Sequence, residues 1–156
     1  MNVLKTILLT AIIFLFACSN PKDTILKEKQ IFTINMVSHG QASDPFWSTV
    51  KNGAEAAADD LGVNLIYQAP TSFDMVTMAQ MIDAVTATVP HGLIVSVPDI
   101  SALKKSIGNA IDKNIPVIAI NSGQDISKEL DILTFIGQSE YEAGMIAAEG
   151  LLKYNI

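Results

Sequence analysis

The chain has 156 residues and a net charge of −6, and its ten basic residues are all lysine. That length fits one domain of ordinary size, and the lack of a basic footprint excludes duplex or single-strand nucleic acid as a partner. With no arginine to clamp a carboxylate or phosphate, the composition also argues against an anionic ligand.

Met1 to Cys18 reads as an export signal. Lys5 gives a positive start, and Ile7 to Phe16 is an apolar run too short for a transmembrane helix, which needs about 20 residues. The run ends in Leu15, Phe16, Ala17 and Cys18, which resembles a bacterial lipobox. In that reading Cys18, the only cysteine, becomes the lipidated first residue of the mature protein. Ordinary cleavage after Ser19 is the alternative, and both routes export the chain. A lipid chain attaches a protein to a membrane without spanning it. Residues 19–30 are polar and read as a tether.

Ile31 to Val37 is an apolar run that predicts the first strand. A polar loop, Ser38 to Ser43, follows. Asp44 is a suitable N-cap and Pro45 a suitable first helical residue. The spacing of Val50, Ala54, Ala57, Ala58 and Leu61 then predicts a helix to Leu61, stopped by Gly62. A second strand is expected over Val63 to Tyr67. Asp74 caps a helix over Met75 to Thr88, with Val76, Met78, Ala79, Ile82 and Val85 inward. Leu93 to Val97 is a compact strand of the kind covered on both faces. A helix over Ser101 to Asn114 and a strand over Ile115 to Ile120 come next. Gln124 to Leu130 is a connector, Ile132 to Ile136 a fifth strand, and Glu140 to Lys153 a last helix. This alternation predicts an α/β fold, a doubly wound parallel sheet with helices on both faces. The last helix carries an apolar stripe (Ala143, Ile146, Ala147, Leu151) with little sequence left to cover it, so the chain reads as truncated.

No catalytic constellation is visible. There is no G-x-S-x-G elbow, no P-loop and no G-x-G-x-x-G loop, and His39 and His91 lack metal-ligand spacing. The expectation is therefore no enzyme, no cofactor and no metal. What recurs is a polar residue after each strand: Ser38 to Asp44, Gln68 to Ser72, Ser96 to Asp99, Asn121 to Gly123, and Gln138 to Ser139. In a parallel sheet these five loops meet at one edge, where ligands of open α/β sheets bind. Neutral and acidic groups beside Phe46 and Trp47 suit a neutral sugar or polyol. His39, at the end of the first strand, is a candidate ligand donor. Each feature also has a plainer role: Asp74 and Asp99 as caps, Asn121 and Gly123 as a turn, and His39 as a loop or supporting residue.

Four stretches carry a family resemblance: DPFWSTVKNGAEAAADDLGV (Asp44 to Val63), HGLIVSVPD (His91 to Asp99), NIPVIAINSG (Asn114 to Gly123) and IGQSEYEAG (Ile136 to Gly144). Together they resemble the periplasmic sugar-binding proteins of ABC transporters, the ribose-binding-protein-like group of type I solute-binding proteins. The resemblance implies two α/β lobes that close on a ligand. Residues 31–138 would form the N-terminal lobe, and residues 139–156 the hinge exit and first helix of a truncated second lobe. It implies ligand contacts at Asp44, Phe46, Trp47, Ser96, Asp99, Asn121, Ser122 and Gln138, with the first aromatics stacked on the sugar face. Asn121 and Ser122 stand where ribose-binding relatives carry an acidic–basic pair, which argues against ribose itself. The implied partners are a sugar or small polyol, an ABC permease with its ATPase subunit, and the membrane through the lipid on Cys18, with the protein a monomer. A ligand-sensing module of the same fold, partnering a chemoreceptor or forming a sensor domain, is the alternative.

Overall fold

Aspartate caps, one serine cap and a few glycines punctuate the chain into alternating strands and helices. The structure, a computed structural model, describes residues 31–41 and 43–154. The export signal, Cys18 and the tether lie outside the described residues. The elements are β1 (Thr33–Val37), α1 (Pro45–Leu61), β2 (Asn64–Gln68), α2 (Met75–Ala87), β3 (Gly92–Ser96), α3 (Ile100–Asp112), β4 (Val117–Ile120), a 3-10 turn (Gln124–Lys128), β5 (Thr134–Ile136) and α4 (Glu140–Lys153).

The five strands form one sheet in the order β2-β1-β3-β4-β5, and every pairing is parallel. This is the expected α/β fold. The chain runs outward from β1 to β2, then crosses back to β3 on the other side of β1. The direction of winding therefore switches between β1 and β3, and a ligand crevice opens at such a point.

The inward residues of α2 and α3 share one core with one face of the sheet. Met78, Ile82 and Val85 of α2 and Leu103, Ile107 and Ala110 of α3 pack with Val37, Leu93, Val95, Val117 and Ala119. Met36, Trp47 and Ala58 are buried as well but stand outside that cluster, on the face that α1 covers. Burying a Leu, Ile or Met side chain contributes about 1.5–3 kcal/mol, so the α2–α3 face dominates the stability.

Caps set the helix starts as expected. Asp44, Asp74 and Asp99 each accept a backbone N–H in the first turn of α1, α2 and α3. Gly62 ends α1 in the left-handed region at φ 65°.

Several details differ from the sequence reading. β4 begins at Val117 rather than Ile115, because Pro116 has no N–H for a ladder; its carbonyl accepts from Leu93 instead. The connector after β4 contains the 3-10 turn, whose Ile126 is fully buried. Val76 and Leu61, expected inward, are 69% and 74% exposed. Val76 lies in the first turn of α2 and Leu61 in the last turn of α1. The stripe on α4 is uncovered, as expected: no residue of that helix is buried.

Candidate functional site

The site forms where the carboxyl ends of the strands meet, and its first piece is the loop after β1. Ser38 is fully buried, and its Oγ lies 2.7 Å from the Tyr67 hydroxyl of β2. The same Oγ donates to the Gly40 carbonyl at 3.3 Å. These bonds tie the loop across β1 and β2. The next residue, His39, bonds in the other direction, to β3. Its backbone N–H donates to Ser96 Oγ at 2.8 Å, and its ring Nδ1 lies 2.8 Å from the same oxygen. Ser38 and His39 thus straddle the crossover between β1 and β3.

Aromatic rings enclose His39. Its imidazole meets Trp47 edge-on at 5.1 Å and Phe73 at 5.8 Å, both with interplanar angles of 80°. Burial lowers its pKa from the usual histidine value, because a half-enclosed ring loses hydration of the charged form. Phe46 in turn meets Trp47 at 5.2 Å with perpendicular planes.

Three depressions adjoin along this edge. One, of about 470 Å³, is lined by His39, Gly40, Gln41, Asp44, Trp47 and Phe73 among others. The second, of about 340 Å³, is lined by His39, Pro98, Asn121, Ser122, Phe135 and Gln138 among others. The third, of about 500 Å³, lies beside α1 and takes in Phe46, Val50, Ile120, Asn121, Ile136 and Gln138. His39 is common to the first two, and Asn121 and Gln138 to the last two. Neutral polar groups and aromatic rings dominate the first two linings, and aliphatic side chains (Val50, Ile120, Ile136) the third; Asp44 and Glu140 add two carboxylates.

The structure brings together most of the residues that the sequence singled out. Asn121 holds φ 61°, a left-handed conformation that asparagine tolerates better than most residues. It lines the second and third depressions. Ser122 Oγ is sealed from solvent without a hydrogen-bond partner. The Gln138 amide donates to the Glu140 carboxylate at 3.1 and 3.2 Å. Asp44 lines the first depression while its Oδ1 accepts from Phe46 N at 2.8 Å.

Three candidates take other places. Trp47 is 4% exposed; its indole lies over Gly40, so it offers the cleft an edge rather than a stacking face. Phe46, 52% exposed, is the ring with an open face. Ser96 is fully buried beneath His39 and is shielded from any ligand. Asp99 caps α3, accepting from Ala102 N at 3.1 Å, and lines none of the three depressions. Phe73, Phe135 and Glu140 line the site although the sequence did not single them out, and His39, weighed there as a ligand donor or a supporting residue, lines it too. For His39 the signal was its place directly after β1.

Among the described residues, no group of three or more His, Cys, Asp or Glu side chains is placed to hold a metal ion, and no helix is long and apolar enough to cross a membrane.

A family model described as a periplasmic binding protein domain matches residues 34–155. The chain belongs to that family. It is a family of binding proteins. Comparison with the curated proteins returned no match. Solved structures are similar. A carbohydrate transporter from Acidothermus cellulolyticus 11B, in complex with myo-inositol, is 37% identical over 75% of this chain and 40% of that one, with a TM-score of 0.70. An ABC sugar transporter (periplasmic sugar binding protein) from Legionella pneumophila is 31% identical over 79% of this chain and 45% of that one, with a TM-score of 0.73. The XylFII–LytSN complex contains a chain 27% identical over 80% of this one and 44% of that one, with a TM-score of 0.71. The chain therefore spans less than half the length of these relatives.

Proposed function

We propose that this chain supplies the first ligand-binding lobe of an ABC importer's substrate-binding protein. In this reading it captures a neutral sugar or related small polyol outside the cytoplasmic membrane for delivery to the permease. The observation that carries it is the strand-end cleft of Asn121, Gln138, Asp44 and Phe46, in a chain of the periplasmic binding protein family. Hydroxyl groups pair with amides and carboxylates, and the exposed face of Phe46 suits the apolar face of a sugar ring. The similar transporter in complex with myo-inositol supports a cyclic polyol or sugar as the ligand class. Residues 31–138 form the lobe in this reading, and residues 139–156 begin the passage to a second wall. Lipidation at Cys18 holds the mature protein, a monomer, at the membrane surface.

Isothermal titration calorimetry with myo-inositol and a panel of neutral hexoses and pentoses tests this. Saturable binding of one compound, lost on Asn121 substitution, supports the reading. Silence across the panel in a folded protein carrying both walls of the cleft overturns it. The similarity to the XylFII chain of the XylFII–LytSN complex supports a second reading, in which the loaded lobe signals to a partner protein instead of a permease. Ligand-dependent capture of such a partner distinguishes the two.

A further inference from the structure

Ser96 Oγ stands 2.8 Å from two nitrogens of one residue, the backbone nitrogen and Nδ1 of His39. The backbone nitrogen always carries its hydrogen, so Oγ accepts there. The serine hydroxyl has one hydrogen of its own to place. Ser96 is fully buried, and Nδ1 is an acceptor within reach. A buried hydroxyl left without an acceptor is unfavourable. The hydroxyl therefore donates to Nδ1, and that nitrogen carries no hydrogen. In a neutral imidazole the hydrogen then sits on Nε2.

Nε2 is open to the cleft. Among the described residues, the sealed side-chain polar atoms without a partner belong to Asn35, Thr86 and Ser122; Nε2 of His39 is not among them, and its bonds within the protein run through the backbone nitrogen and Nδ1. His39 also lines two of the three depressions. Trp47 and Phe73 hold the ring between them.

We propose that Ser96 locks His39 as its Nε2–H tautomer, so that His39 presents the cleft with one fixed hydrogen-bond donor for a hydroxyl or carbonyl oxygen of the ligand. Ser96 is then a positioning residue and His39 a ligand-contacting one. The ligand half of this inference rests on the binding-protein reading above; the tautomer half does not. Protonation of Nδ1 would give Ser96 Oγ two N–H donors and strand its own hydrogen. The fold therefore keeps the ring neutral, in the same direction as its burial. The carboxylates that share the depressions are Asp44, the N-cap of α1, and Glu140 of α4. Tyr67 of β2 reaches only as far as Ser38, and Asp74 adjoins Phe73 at the start of α2.

Two measurements test the device. Long-range proton–nitrogen correlation NMR on the 15N-labelled full chain reads the tautomer without any ligand. The expected result is an unprotonated Nδ1 and a protonated Nε2 for His39, a mixture of tautomers in Ser96→Ala, and recovery in Ser96→Thr. A protonated Nδ1 in the unsubstituted chain overturns the proposal. Calorimetry with whichever panel compound binds then reads the donor. His39→Phe keeps a ring but has no donor and is expected to weaken binding about tenfold, the worth of one hydrogen bond. His39→Gln returns an N–H near the Nε2 position and is expected to recover part of that loss. Unchanged affinity in a folded His39→Phe variant overturns the ligand contact. Silence across the panel defeats the sugar reading instead, and the NMR measurement still decides the tautomer.

Discussion

The indole of Trp47 lies against Gly40, and a Cβ on Gly40 would fall within the indole ring. Glycine at that position lets the first loop fold down onto α1. The contact buries Trp47 and sets the floor beneath His39. Gly40→Ala should displace the indole and destabilise the lobe by about 1–3 kcal/mol, the usual cost of overpacking. Urea unfolding measures the loss. The emission of the single tryptophan should shift to the red in the folded variant, as its ring gains water.

This contact also marks the limit of what the sequence made legible. Phe46 and Trp47 are neighbours on one helix, and both read as cleft aromatics. Which of the two is buried depends on Gly40, a close approach with no sequence period. The sheet was legible because hydrophobic runs, aspartate caps and Gly62 all mark boundaries locally. Asp44 and Asp99 share that cap chemistry, so sequence alone did not separate the one at the cleft from the one outside it. Ser96 and His39 are 57 residues apart, and only the parallel pairing of β1 with β3 brings them together. Val76 and Leu61 kept the helical period in the terminal turns of their helices, where the structure leaves them exposed.

His39 should make stability depend on pH in a defined direction. Burial lowers its folded pKa below the ordinary value of 6.5, so the unfolded chain takes up the proton first. The contribution of His39 is fully present above 6.5 and is lost as the pH falls from 6.5 towards the lowered value. Urea midpoints measured between pH 7.5 and pH 5 should fall for the unsubstituted chain. In His39→Gln that part of the decline should be absent. An equal decline in both would show that other groups set the dependence.

Asp99 separates capping from binding. Its carboxylate accepts from Ala102 N in the first turn of α3 and lines none of the three depressions. Asp99→Ala should lower stability by about 1 kcal/mol, the typical worth of an N-cap. Asp99→Ser retains a capping oxygen and should recover most of it. Ligand affinity should be unchanged in both variants, read by calorimetry. A large loss of affinity in a folded Asp99→Ser variant would return this residue to the cleft.

Asn121 allows the opposite separation, because its backbone and its side chain have different jobs. At φ 61° it occupies the left-handed region, while its N–H donates to the Ile136 carbonyl at 3.0 Å and holds β4 to β5. Glycine adopts that conformation without a steric penalty, and alanine does so at a cost of about 1–2 kcal/mol. Asn121→Gly should therefore keep the stability close to that of the unsubstituted chain, whereas Asn121→Ala should lower it by about that amount. Both remove the amide from the second and third depressions, so both should weaken ligand binding alike. Stability that differs between the variants alongside an equal loss of affinity would assign the strain to the backbone and the recognition to the amide. Full affinity in Asn121→Gly would remove Asn121 from the binding surface and shift the polar contacts to Gln138 and Glu140.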